Sequence, residues 1–139
     1  MRHGTTLIEI MAVLVVISLL LLISLPRLGR GRDSVAVRSA REQVVSALAV
    51  ARSRAIFGSR TVAVRFDTLA SRVLLLAAAD TELVRDVGQE LGVAMVASRD
   101  SIAYGPTGRG YGAANTRIIL ARGAAAETVT VSRLGRVRH

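Results

Sequence analysis

The sequence predicts an α+β fold in which a long N-terminal helix, transmembrane in its first half and amphipathic in its second, packs on a small antiparallel β-sheet or sandwich. Three observations predict it. From Ile10 to Leu25 every residue is apolar except Ser18 and Ser24, and the 21 residues from Thr5 to Leu25 meet the roughly 20 that a helix needs to cross a bilayer. From Asp33 onward apolar residues recur at the helical spacings of three and four, and after Gly58 short alternating runs are separated by turns.

The leader, Met1 to Gly4, carries Arg2 and His3. A secretory signal peptide would need a small-x-small cleavage site after its apolar core, but this core ends in Leu25-Pro26-Arg27-Leu28. Such a peptide also has no use for Glu9. An unpaired carboxylate in hydrocarbon costs about a few kcal/mol, so Glu9 asks for a specific partner.

Gly4, followed by Thr5-Thr6-Leu7-Ile8-Glu9 and a long apolar helix, resembles the class III signal of type IV pilins and type II secretion pseudopilins. The resemblance implies that a prepilin peptidase cuts between Gly4 and Thr5 and methylates the new N-terminus, leaving the helix on the protein. Thr5 departs from the family's usual phenylalanine at that position. Pro26, about six turns into the mature helix, matches a proline common in the family, where it kinks or locally melts the helix. The resemblance also supplies a partner for Glu9: the Thr5 amine of a neighbouring subunit, so that two charges offset each other in a dry helical core.

The implied organisation is a leader at 1–4, a membrane and assembly helix at 5–26, an amphipathic helix at 27–57 and a β-rich domain at 58–139. Arg27-Leu28-Gly29-Arg30-Gly31-Arg32 is a basic, glycine-rich step where the helix leaves the bilayer. Three arginines there against Arg2 and His3 in the leader leave the orientation open by the positive-inside rule, although arginines at the exit can meet lipid headgroups. The resemblance implies a cytoplasmic leader, an inner-membrane anchor and a periplasmic body. In the second helix Val37, Ala40, Val44, Ala47, Leu48, Ala51 and Ala55 form a narrow alanine-rich face that a sheet can approach closely. Asp33 or Ser34 is expected to cap its start, Gly58 to end it, and Arg38, Arg41, Arg52 and Arg54 to point to water or adjacent subunits. Strands are expected at Arg60–Phe66, Arg72–Ala77, Val93–Ala97, Ile102–Tyr104, Arg117–Leu120 and Thr128–Ser132.

Composition narrows the chemistry. Of 139 residues roughly 110 lie beyond the anchor, enough for one small domain. Cysteine and lysine are both absent, which excludes a disulfide framework and a thiolate zinc site. The only histidines are His3 and the terminal His139, so the usual nucleophile and base pairs are missing and no enzyme is expected. Asp80, Glu82, Asp86 and Glu90 read as a solvated loop or helix face. Asp80-Thr81-Glu82 is too sparse an oxygen cluster for calcium, so no metal, cofactor or small-molecule substrate is expected. Gly105-Pro106-Thr107-Gly108-Arg109-Gly110-Tyr111-Gly112 lacks the lysine and following helix of a phosphate loop and reads as a tight turn.

Ala51-Arg52-Ser53-Arg54-Ala55-Ile56, then Tyr104-Gly105-Pro106-Thr107-Gly108-Arg109, then Val131-Ser132-Arg133-Leu134-Gly135-Arg136-Val137-Arg138 resemble the minor pseudopilin H family of type II secretion systems and related minor type IV pilins. That resemblance covers nearly the whole chain and implies a type IV pilin-like fold. Two function classes follow from it. One is a structural subunit of the periplasmic pseudopilus that supports protein export, with other pilin or pseudopilin subunits as partners. The other is a minor pilin that binds DNA during natural transformation through a C-terminal Gly-Arg-x-Arg motif.

Residues 27–139 hold 18 arginines against 9 acids, and from Ser101 to His139 six arginines face only Glu127. Arginine fits phosphate bidentately, and a basic surface attracts DNA in a salt-dependent way. Arg133, Arg136 and Arg138, supported by Arg109 and Arg117, are the candidate contacts. Tyr104, Tyr111 and Phe66 are the candidates for stacking on bases. Complete absence of lysine is equally the mark of a genome-wide bias towards arginine, and Gly135 to Arg138 then simply forms the last hairpin.

Overall fold

The computed structural model of the protein describes residues 6–77, 80–111, 115–132 and 134–138; within its first helix the side chains at 23–28 and at 30 lie outside that description. The chain divides into two compact units, Met1–Arg32 and Asp33–His139. A single helix, α1 (Leu7–Phe57), runs through 51 residues. The one long helix expected from the sequence is thus found, whereas the expected capped start at Asp33 or Ser34 is corrected, since both residues lie inside the helix. One proline and two glycines weaken a helix locally, but breaking it would require a second costly nucleation. Asp33 does not cap; its carboxylate pairs instead with Arg122 at 3.0 Å.

In the first unit, every residue from Thr6 to Leu22 is exposed. Apolar side chains such as Ile8, Met11, Leu14 and Leu20 cover all sides of the helix, which lacks the single buried stripe of a globular-protein helix. Among the described residues no helix is long and apolar enough to cross a membrane. The expected span at 5–26 extends into positions outside the described set.

In the second unit α1 buries the alanine-rich stripe foreseen from the sequence, with Val37, Ala40, Val44, Ala47, Leu48, Ala51 and Ala55 essentially inaccessible. The helix ends one residue later than Gly58 would place the turn. Ser59 takes the left-handed conformation (φ 46°), its N–H donates to the Ile56 carbonyl at 3.2 Å, and the Arg60 N–H donates to the Ala55 carbonyl at 3.2 Å. This pair of bonds is the Schellman closure, and it satisfies carbonyls that the helix end would otherwise orphan.

The strands are β1 (Val62–Asp67), β2 (Arg72–Ala77), β3 (Asp80–Asp86), β4 (Ala94–Ala97), β5 (Ser101–Tyr104), β6 (Gly110–Tyr111), β7 (Thr116–Arg122), β8 (Ala125–Val131) and β9 (Val137–Arg138), with a five-residue helix α2 (Val87–Leu91) between β3 and β4. They form a five-stranded sheet, β3-β2-β1-β5-β6, and a four-stranded sheet, β4-β7-β8-β9, with antiparallel pairing throughout. Alternation buries Val62, Val64 and Phe66 of β1, Val73 and Leu75 of β2, Ile118 and Leu120 of β7, and Val129 and Val131 of β8 in one core with the α1 stripe.

The reading of Asp80, Glu82 and Asp86 as loop or helix face is also corrected: all three lie in β3, an edge strand, and only Glu90 lies on a helix. Charges are a common device for protecting an edge strand from further pairing, and they masked the strand in the sequence.

Candidate functional site

Two surfaces carry the residues singled out above. The first lies at the start of α1. Glu9 sits in the first helical turn, exposed, and its backbone N–H donates to the Thr6 carbonyl at 3.0 Å. No ion pair to its carboxylate is found among the described residues. Gly4 and Thr5 lie outside the described residues. A lone acid in the first turn of a helix apolar on every side is available to a cation brought by another chain, and the helix N-terminus itself favours a carboxylate there.

The second surface is the C-terminal hairpin. After β8 the Ser132 N–H donates to the Arg136 carbonyl at 2.9 Å, the Gly135 N–H donates to the Ser132 carbonyl at 2.9 Å, and the Arg136 N–H donates to the Ser132 hydroxyl at 3.2 Å. Gly135 is left-handed (φ 74°), and a Cβ there would stand 2.7 Å from the Tyr104 ring. Both features require glycine, so the hairpin reading of Gly135 to Arg138 holds.

Register then places the arginines. Arg117 of β7 and Arg138 of β9 both pair with Thr130 of β8, so the three occupy one row on one face. Two strand spacings separate the arginine backbones by about 10 Å. Both arginines are exposed. Arg109 lies on the β5–β6 turn of the other sheet, where its carbonyl accepts from the Gly105 N–H at 3.0 Å. Gly110 and Gly135 adjoin, a Cβ on Gly135 standing 3.3 Å from the Gly110 nitrogen, so Arg109 and Arg136 each lie one residue from that contact. Arg133 lies outside the described residues.

Among the described residues Arg109, Arg117, Arg136 and Arg138 form no ion pair, whereas Arg41 pairs with Glu42 and Glu127, Arg54 and Arg60 with Glu82, Arg72 with Asp86 and Arg122 with Asp33. The expectation that Arg41 and Arg54 point to water or neighbours is thus corrected, because both tie α1 to strands of their own domain. Stacking on bases is corrected too. Phe66 and Tyr104 are buried in the core, which leaves Tyr111 as the exposed candidate.

A groove of about 370 Å³ runs beside the end of α1, lined by Leu48, Arg52, Ile56 and Phe57 on the helix and by Gly135 and Val137 on the hairpin. Sequence reasoning missed it, since its two walls lie far apart in the chain.

Residues 40–135 match the family profile described as "Type II transport protein GspH". No curated protein sequence matches the chain. Among solved structures the fold is similar to the type IV minor pilin FimU of Pseudomonas aeruginosa (strain PAO1) in two crystal forms. Their TM-scores are 0.62 and 0.60 at 16% identity, with 73% of this chain covered against 86% and 90% of theirs. It is also similar to the minor pseudopilin EpsH from the Type 2 Secretion System of Vibrio cholerae, with a TM-score of 0.58 at 13% identity, covering 73% of this chain and 94% of that one. Likeness at this level of identity establishes the fold, a type IV pilin-like α+β architecture.

Proposed function

The chain belongs to the GspH family of type II transport proteins, and from that membership we propose that it is a minor pseudopilin, a structural subunit of the type II secretion pseudopilus that supports protein export across the outer membrane. The observation that carries the reading is a helix exposed and apolar on every side from Leu7 to Leu22, interrupted by one acid, Glu9. Such a surface needs lipid before assembly and other subunits after it.

In this reading residues 1–4 are a leader removed by the prepilin peptidase between Gly4 and Thr5, and the new N-terminus is methylated. Residues 5–26 anchor the chain in the inner membrane, 27–57 continue the helix into the periplasm and 58–139 complete the body. Glu9 pairs with the Thr5 amine of a neighbouring pilin-like subunit. Glu9→Ala is expected to leave membrane insertion intact and to abolish recruitment into sheared filament fractions. Normal recruitment of that variant would overturn the pairing.

A second reading, DNA binding, is favoured by one observation, the exposed Arg117–Thr130–Arg138 row with no acid on its arginines among the described residues. None of the relatives is described as a nucleic-acid binder. If the row contacts phosphate, Arg117→Gln with Arg138→Gln weakens retention of duplex DNA in a mobility-shift titration and lessens its salt dependence. Retention unchanged by the double substitution excludes the row.

A further inference from the structure

The groove beside the end of α1 is apolar along Leu48, Ile56, Phe57 and Val137, and among the described residues no acid lines it. Its one cation, Arg52, is half-buried and forms no ion pair among the described residues. The β5–β6 turn packs on Arg52: Gly108 is left-handed (φ 71°), and a Cβ on it would stand 3.1 Å from Nε of Arg52 and 2.8 Å from Cδ1 of Ile56. Phe57, on the groove wall, is 87% exposed. A guanidinium packed among apolar side chains gives up hydration without gaining a counter-charge, and a carboxylate from outside relieves that.

The groove extends beyond these residues. A second hollow, lined by Arg41, Glu42, Val45, Ser46 and Ala49, shares Val45 and Ala49 with it. Together they form a recess along α1 from Glu42 to Phe57, about 22 Å of helix at the usual rise per residue. That length suits a segment of chain better than a single side chain.

Most carboxylates of the body are already engaged. Asp33 pairs with Arg122, Glu42 and Glu127 with Arg41, Glu82 with Arg54 and Arg60, and Asp86 with Arg72. Asp67 accepts from the Leu69 and Ala70 N–H groups of its own turn, and Glu90 accepts from Gln43. A second copy of the chain brings the same shortage of free acids and the same net charge of +9, so it is repelled where an acidic chain is attracted.

We propose that this recess seats an apolar segment of a different, acidic pilin-like subunit, one carboxylate of which pairs with Arg52. The apolar walls supply the buried contact, and the ion pair fixes register and selects the partner against a second copy. The proposal rests on the reading of the chain as one minor subunit among other pilin-like subunits, and it names the surface and the chemistry of the neighbour that surface accepts.

The absence of cysteine makes site-directed photo-cross-linking of the full-length chain a direct test. Ser53 is exposed and lines the groove, so a Ser53→Cys chain is labelled with benzophenone maleimide in membranes of cells that make the whole set of pilin-like subunits. The expected product joins this chain to a different pilin-like subunit, through a peptide in which an Asp or Glu is flanked by apolar residues. Arg52→Glu is expected to lower its yield about tenfold or more, and Arg52→Lys to retain it. Changing the joined acid to arginine in the partner is expected to restore the product with Arg52→Glu, a rescue that a merely misfolded variant cannot give. Where Arg52→Glu lowers the thermal midpoint, Arg52→Gln is read in its place. A product only with a second copy, with an exported protein or with nucleic acid overturns the proposal, as does a joined peptide without an acid or a yield unchanged by Arg52→Glu. No product while the chain enters sheared filaments overturns it too and leaves the filament reading standing. Failure of the unmodified chain to enter filaments at all overturns the filament reading itself.

Discussion

Tyr104 has no solvent exposure and its hydroxyl has no hydrogen-bond partner among the described residues. Burial pushes the phenol above its ordinary pKa of 10.0, and the nearby Arg52 charge offsets only part of that. The ring lies against Gly135, whereas the hydroxyl contributes only a desolvation cost. Tyr104→Phe is therefore expected to stabilise the fold by about 1 kcal/mol, since an orphaned buried polar group costs roughly 1–3 kcal/mol. A lower thermal midpoint for that variant in detergent micelles would mean that the hydroxyl has a partner after all. The sequence offered Tyr104 as a candidate for stacking on bases. A slip of one residue in strand register moves a side chain to the opposite face, so only the pairing of β5 with β1 assigns it to the interior.

At the scale of elements, the end of α1 is tied to β3 by a single carboxylate. Glu82 accepts from Arg54 and, at 2.6 Å, from Arg60, and its pKa is held below the ordinary 4.5, with the Arg54 hydrogen bond the largest cause. Asp86 is held below its ordinary 3.8 first by the Gln89 N–H, which it accepts as the cap of α2, and then by Arg72 at 2.6 Å. Both pKa values are lower in the folded state, so protonation favours unfolding. Their contribution is complete above the ordinary values and fades as pH falls through them towards the depressed folded values; Glu82 is exposed and Asp86 half-buried, so the part owed to Glu82 weakens most with salt. The thermal midpoint is expected to drop below about pH 4.5, and Glu82→Gln to flatten that drop. An acid limb identical in the wild type and the variant would show that the cluster does not couple α1 to the sheet. The buried stripe of α1 was legible because its period survives in the letters. β3 was not, because the acids that protect its edge give it the composition of a loop.

For the whole molecule, the division at Asp33 separates a helix whose described side chains are all exposed from a domain with its own core. A chain starting at Asp33 is expected to stay in the aqueous phase on detergent phase partitioning and to unfold in one cooperative transition, whereas the full chain enters the detergent phase. Partitioning of the shortened chain into detergent, or the lack of a cooperative transition, would contradict two separable units. The net charge of +9 belongs entirely to the stretch after the apolar helix. About half of that story was readable in advance. The arginine excess is visible in composition, but which arginines are neutralised by Glu42, Glu82, Asp86, Glu127 and Asp33 depends on contacts between distant segments.

The sequence alone determined the fold class, the alanine-rich packing face of α1, the glycine-dependent last hairpin and the isolated acid at Glu9, because each is a local pattern of residue type and period. Only the tertiary structure decided that Asp33 lies within the helix instead of capping its start and that Arg117 and Arg138 share a row. It also decided that Tyr104 faces inward and that the end of α1 and the last hairpin wall one groove. These depend on cooperativity along a helix, on strand register and on the meeting of residues far apart in the chain, none of which is written in any short stretch of sequence.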